Sequence, residues 1–384
     1  MKTGAVIAEY NIFHNGHKYL IDNVRKNCNA VIAIMSGSFV QRGDVAITDK
    51  WTRAEMALKN GVDLVFELPV IYALNTAQKF AFGSVYLLDR LNIVEELYFG
   101  SESGDIDTLL NTAKLLENEP VNISEKIKSL MDLGVNYPTA RQRAYEDDID
   151  SEILASPNNI LAIEYIRTLM QLESKIVPKT TERTKVGYHD LSVSDNFASA
   201  TAIRNMIEED KDFSKYVPKN TDMNFAKYSL SNIDSAVIHT LRNADIEVLK
   251  NINDVSEGLE NRIKKLCNEC GTIQSLAESI KTKRYTRTRI NRVILSCALG
   301  LTKELCSYVP DYVRVLGMNK TGAALLSQIK KSSDLQIITK TADYRRDDEI
   351  FNAEIRATDL FALASFDPQK RVAGLDYKKS PVIM

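Results

Sequence analysis

Four short apolar runs recur at a near-regular pitch in the first hundred or so residues: "GAVIAE" (4–9), "AVIAIMS" (30–36), "DLVFELP" (63–69) and "EELYFGSE" (95–102). Each is too short for an independent helix and rich in β-branched or aromatic residues, so each reads as a buried strand. Between them lie "HKYLIDNVRKN", "KWTRAEMALKNG" and "TAQKFAFGSVYLLDRLN", whose apolar residues fall at helical spacing. Asp49 is of the right type to cap the second of these helices, and Gly61 to end it. Parallel strands need long crossovers, so strand–helix alternation at this pitch dictates a parallel sheet wound by helices. Ligands on such sheets bind beyond the carboxyl ends of the strands. The turn "YNIFHNG", the loop Gly37–Gly43, Glu67 and Gly100 all fall there.

Beyond residue 105 the pattern is helical, most clearly in "SPNNILAIEYIRTLMQL", where Ser156, Pro157 and Asn158 suit a helix start. "SKIVPKTTERT" reads as a last strand that leaves into a polar loop at Arg183. "SATAIR" opens a further helix. After "YVPKNTDMN" the strand signals largely stop, apart from "LQIITKT". The expected architecture is an α/β, doubly wound parallel sheet over residues 1–218, followed by a mostly α-helical C-terminal domain over residues 219–384. A length of 384 residues favours two domains over one. With 44% apolar and 26% charged residues, the composition is that of a folded, soluble protein. No apolar run has membrane-spanning length, and the N-terminus lacks the apolar region of a signal peptide, so a cytoplasmic location is expected. Five scattered cysteines argue against a disulfide framework. Cys267 and Cys270 form a CxxC without a second pair nearby, which points to helix packing and to no metal centre.

The chain has four histidines, and two of them, His14 and His17, flank Gly16 in a single turn. Placed after a strand and at a helix start, this HxGH turn offers an anion three things: unpaired backbone N–H groups, close backbone approach at the glycine, and two imidazole donors. Such a site can stabilise the charge that develops when an α-phosphate is attacked and pyrophosphate leaves. That is adenylyl transfer. The second helix start adds Ser199, Thr201 and Arg204, residue types suited to the outer phosphates of the same nucleotide. Gln41 and Arg42 are the polar reach of the second-strand loop. Lys50 and Arg53 stand at the next helix start, where they meet either a phosphate or solvent.

HxGH at the first strand–helix turn, followed by S-x-T-x-I-R, resembles the nucleotidylyltransferase superfamily of the HUP-type folds. Longer strings resemble one family within it, the bacterial tRNA(Met) cytidine acetate ligases: "AEYNIFHNGHKYLI", "GVDLVFELPVIYALNTAQKFAFGSVYLL", "SPNNILAIEYI", "GYHD", "FASATAIR", "KTKRYTRTRINR" and "RVLGMNKTG". One departure is Ile12, where that family usually has proline. The resemblance implies an enzyme that uses ATP to activate acetate as acetyl-adenylate. It then passes the acetyl group to the exocyclic amine of the wobble cytidine of elongator tRNA(Met). Carried onto this chain, the ATP-binding residues are Ile7, Ala8, Glu9, Tyr10, Asn11, Phe13, His14, Asn15, Gly16, His17 and Leu20, with Gly100, Asn158 and Arg183. Magnesium is expected to arrive with ATP, and no protein carboxylate stands out as its ligand.

"KTKRYTRTRINR" carries six positive residues and no negative one, although the whole chain has a net charge of −2. Clustered Lys and Arg suit a phosphate backbone, so Lys281, Lys283, Arg284, Arg287 and Arg289 are the candidate tRNA contacts. Helical spacing would bring Lys281, Arg284 and Arg292 broadly to one side. The segment lies far along the chain from the HxGH turn, so independence of the two sites is expected. Two other readings fit the motifs alone: adenylylation of a small molecule, and a non-catalytic RNA-binding protein with a nucleotide site.

Overall fold

The structure, a computed structural model, describes residues 1–183, 198–256 and 258–384. The family-like string "GYHD" and the first residue of "FASATAIR" lie outside the described residues. Among the described residues the strands are β1 (Thr3–Ala8), β2 (Ala30–Ser36), β3 (Phe39–Val40), β4 (Asp44–Val45), β5 (Leu64–Leu68), β6 (Glu96–Ser101), β7 (Val177–Glu182), β8 (Tyr312–Met318), β9 (Gln336–Ile338) and β10 (Val382–Ile383). The main sheet runs β10-β8-β5-β2-β1-β6-β7, with β9 also on β8, while β3 and β4 form a separate antiparallel hairpin.

The strand–helix alternation yields the expected parallel core. β1 pairs in parallel with both β2 and β6, β2 with β5, and β6 with β7. Every residue of β2 is buried, as a strand covered on both faces requires. From β1 the chain steps outward through β2 and β5, then returns to the other side of β1 for β6 and β7. Winding therefore reverses at β1, and the crevice such a reversal leaves lies at the carboxyl end of that strand. The HxGH turn follows β1 directly. Five helices fill the β6–β7 crossover, ending in Pro157–Gln171.

The C-terminal half departs from the two-domain expectation. Residues 230–299 are helical, but β8, β9 and β10 then return to the sheet, β8 antiparallel to β5 across a bulge at Val65/Phe66. One hydrophobic cluster runs from Ala5 to Ala364. A division at residue 218 therefore does not hold to the end of the chain. β8 escapes a pattern search because Arg314 interrupts its apolar run. That arginine is buried, 2.6 Å from Asp376 and 3.3 Å from Glu67. Lys50 completes the network at 2.7 Å from Glu67 and 2.9 Å from Asp376. Arg53 is fully buried and donates to the carbonyls of Glu9, Ser36, Gly37 and Thr48. Lys50, Arg53 and Glu67 therefore tie the fold together and meet neither phosphate nor solvent. All five cysteines are free and buried, and the Cys267 and Cys270 carbonyls accept from Arg242.

Candidate active site

The turn after β1 is built by its own backbone. Tyr10 has a φ of 45°, in the left-handed region that bulky residues rarely adopt. His14 caps the helix Asn15–Asn27: its Nδ1 accepts from the Gly16 N–H at 3.1 Å, and Nδ1 of His17 accepts from the His14 N–H at 3.2 Å. The two imidazoles thus form a reciprocal capping box and stack with centroids 3.8 Å apart. A Cβ on Gly16 would lie 2.9 Å from Cε1 of His14, so only glycine lets that ring lie back over the helix start.

This capping fixes the protonation state. A ring nitrogen that accepts an N–H carries no proton, so the proton of each histidine is on Nε2. Burial, aided by Arg183 and Arg204, pushes His14 down to about 3. Burial, with His14 and Arg183 beside it, also holds His17 well below its ordinary value, against a hydrogen bond to the Ile12 backbone that opposes the shift. At neutral pH both are uncharged Nε2–H donors.

Arg204 reaches back across 193 residues of sequence to donate to the Asn11 carbonyl at 2.9 Å. It also donates to the Thr201 hydroxyl at 3.0 Å, and Ser199 caps its own helix by accepting from Ala202 N–H. The "SATAIR" helix is thereby pinned to the HxGH turn, and its hydroxyls serve the helix. On the other side, Asn158 bonds Arg183 at 2.9 Å and Glu102 at 2.6 Å, at the start of the helix Pro157–Gln171. Gly100 gives this arginine room: a Cβ there would meet Cγ of Arg183 at 3.0 Å.

These groups open onto one cavity of about 920 Å³. Ile7, Ala8, Glu9, Tyr10, Asn11, His14, His17 and Leu20 line it, as do Gly100, Asn158, Arg183 and Arg204. Phe13 lies in the core, Asn15 bonds the Lys215 carbonyl, and Gly16, Ser199 and Thr201 stay outside the lining. Glu9 accepts from the Gln41 N–H at 2.7 Å, and burial raises its carboxyl. Asp44 is raised to about 6, chiefly by its depth in the cleft, although its side chain still reaches solvent.

The basic segment behaves differently from a single helical stripe. Lys281 ends the helix Ile273–Ile280, and the next helix, Arg287–Leu299, starts six residues later. Lys281, Arg284 and Arg292 thus share no helix face, and Arg292 is buried 3.2 Å from Asp254. Arg289 lies 3.1 Å from the same carboxylate, and Arg287 pairs with Glu278. Lys281 and Lys283 are exposed outside the cavity, whereas Arg284, Arg289 and Arg292 line it. The separation expected from the sequence therefore closes up in space. Gly43 (φ 80°), between β3 and β4, is the contact: a Cβ there would sit 2.6 Å from the Arg292 backbone nitrogen.

Sequence reasoning missed the third wall. Arg141 and Arg167 flank the buried Glu164, each 3.0 Å from it, and all three line the cavity. The available signals were only single arginines, Arg141 in "TARQRA" and Arg167 in "EYIRTLMQ", each of which resembles any solvated helix face. In all, eight arginines and four carboxylates line the cavity, and no lysine does so among the described residues.

A doubly wound sheet with an HxGH helix start at its switch point defines a nucleotidyl-transfer site. Residues 1–374 match the HIGH Nucleotidyl Transferase family. The tRNA(Met) cytidine acetate ligase of Thermoanaerobacter sp. (strain X514) is 40% identical over 393 residues, covering 97% of both chains. That of Clostridium tetani is 39% identical over 408 residues, covering all of both. The crystal structure of Thermotoga maritima TmcAL bound with alpha-thio ATP superposes with a TM-score of 0.91 at 31% identity, over the whole of both chains. The chain belongs to the HIGH nucleotidyl transferase family and, within it, to the tRNA(Met) cytidine acetate ligases.

Proposed function

We propose that the chain is an ATP-dependent ligase that acetylates the wobble cytidine of elongator tRNA(Met). One observation carries this reading: the HxGH turn and the arginine walls contributed by residues 136–167 and 284–292 share a single cavity. A small acceptor needs no such extension.

ATP lies with its α-phosphate at the His14–His17 turn, its outer phosphates toward Arg204, and its nucleoside against Gly100, Asn158 and Arg183. An acetate oxygen attacks the α-phosphorus and pyrophosphate leaves. The Nε2–H groups and the helix N-terminus stabilise the charge that gathers on the phosphoryl oxygens. Both imidazoles are already neutral and fixed by the capping box, so no proton need move before they donate. The cytidine amine then attacks the acetyl carbonyl carbon, AMP departs, and the amine loses a proton. Mg²⁺ bound with ATP would neutralise charge on the phosphates. Among the described residues no group of three His, Cys, Asp or Glu forms a dedicated cage, and Glu9 and Asp44 are the carboxylates at this end that it would meet. No helix among the described residues is long and apolar enough to cross a membrane, and the substrates place the reaction in the cytoplasm.

Acetate-dependent ATP–pyrophosphate exchange, followed by mass spectrometry of nucleosides from treated tRNA, tests the reading. Exchange and N4-acetylcytidine in tRNA(Met) are expected. Exchange that ignores acetate favours small-molecule adenylylation.

A further inference from the structure

We infer that Tyr137, Arg141 and Arg284 form a subsite, at the end of the cavity remote from the histidines, for one unpaired RNA nucleotide drawn out of its stack. The inference rests on the tRNA-acylating reading above and assigns where a nucleotide flanking the acceptor cytidine is held, since the acceptor's own amine must reach the acetyl group at the His14–His17 turn. A base that undergoes chemistry must leave its stack, so the cavity has to hold two nucleotides at once. Its volume of about 920 Å³ is at the upper end of what one ligand fills. It also extends along the helix Pro157–Gln171. Asn158 holds Arg183 at the helix start, while Glu164 holds Arg141 and Arg167 roughly 9 Å further along the axis.

The walls at that end have the chemistry of single-stranded RNA recognition, an aromatic face beside guanidinium groups. Tyr137 lines the cavity yet is 48% exposed, an aromatic ring left open at its mouth. Arg141, one turn further along the same helix, has a buried Nε with no hydrogen-bond partner among the described residues. Asn136 donates to the Lys283 carbonyl at 3.3 Å, which joins this wall to the segment carrying the exposed Arg284. Tyr285 is not the platform: it is buried, with the Arg289 guanidinium 5.5 Å from its ring centre. A base stacked on Tyr137 would place its flanking phosphates near Arg284, with Arg141 facing the base edge.

The test uses the full chain and a hairpin RNA with pyrrolocytosine, a fluorescent cytidine analogue, at one loop position. Wild type should change the fluorescence on binding, and Tyr137→Phe should behave alike. Tyr137→Ala should weaken binding roughly 5- to 150-fold, the range for losing one base–aromatic stack, and abolish the fluorescence change. Wild-type affinity and signal in Tyr137→Ala would overturn the subsite. Should that variant not fold, Arg284→Gln decides. A salt slope shallower by about 0.7–0.9 supports the subsite, and an unchanged slope overturns it. Wild type lacking acetate-dependent exchange would instead remove the functional reading itself, so the two failures are distinguishable.

Discussion

At the scale of single residues, His14 and His17 cap a helix start and, in the reading proposed above, also serve the reaction, so substitutions can separate the two tasks. Asparagine is a good N-cap, so His14→Asn should keep most of the cap yet remove the Nε2–H donor. We expect pyrophosphate exchange to fall by about 10²–10³, the usual effect of losing one such donor, with thermal stability little changed. His17→Ala loses both tasks and should lower exchange and, by about 1 kcal/mol, stability. The depressed pKa of His14 sets the pH behaviour. Its ordinary value is 6.5 and its folded value about 3, so between these the unfolded chain takes up the proton first. Its stabilising contribution is complete above pH 6.5 and is lost as pH falls toward 3. Melting curves should therefore show wild type losing more stability than His14→Asn across that window. The pair was legible in the sequence because the motif is local. Which nitrogen carries the proton was not, since that depends on two backbone N–H groups that only the folded turn presents. Arg141 and Arg167 were illegible for a related reason: they look solvated until Glu164 draws them inward.

Among elements, close approaches decide how the walls of the cavity meet. Gly43→Ala places a side chain at positive φ and against the Arg292 backbone, so the β3–β4 hairpin must part from the helix Arg287–Leu299. Glu9 is bonded to that hairpin through Gln41. We expect tRNA acetylation to fall at least tenfold, with weaker RNA binding by titration. A variant with wild-type acetylation would show that the hairpin does not position the site. Gly100→Ala crowds only the stem of Arg183, which should raise the KM for ATP several-fold and leave RNA affinity alone. The first hundred residues announced their elements plainly, down to Asp49, whose carboxylate accepts from the N–H groups of Trp51 and Thr52. β8 did not, because a buried charge inside a strand becomes reasonable only once Glu67 and Asp376 are beside it.

For the whole molecule, the network of Lys50, Glu67, Arg314 and Asp376 means the C-terminus is not a detachable module. Ending the chain at Ala373 would remove Asp376 and β10 and leave two buried cations facing Glu67. Breaking a buried pair typically costs about 3–5 kcal/mol, so the shortened chain should unfold, or melt far lower, and lose exchange together with RNA binding. Retention of exchange by that chain would restore the simpler division into a catalytic unit and a helical one. The sequence suggested that division because local patterns end where strand signals fade. Pairing between β5 and β8 spans some 250 residues of chain and leaves no local trace.

Among the described residues, the cations that line the cavity are all arginines, and this has a chemical consequence for an enzyme that makes a mixed carboxylic–phosphoric anhydride. A lysine crowded by other cations loses its proton readily and becomes an amine nucleophile. It would compete with the cytidine amine for the acetyl group and consume the intermediate it helped to bind. Guanidinium groups stay protonated and do not, so these arginine walls hold anions while remaining inert to the enzyme's own product. Arg42→Lys, which keeps the charge in the β3–β4 hairpin, should therefore acquire acetyl-lysine at that position when incubated with ATP and acetate in the absence of RNA. Peptide mass spectrometry would detect it, and an unmodified Lys at that position would show that the lining is chosen for geometry alone.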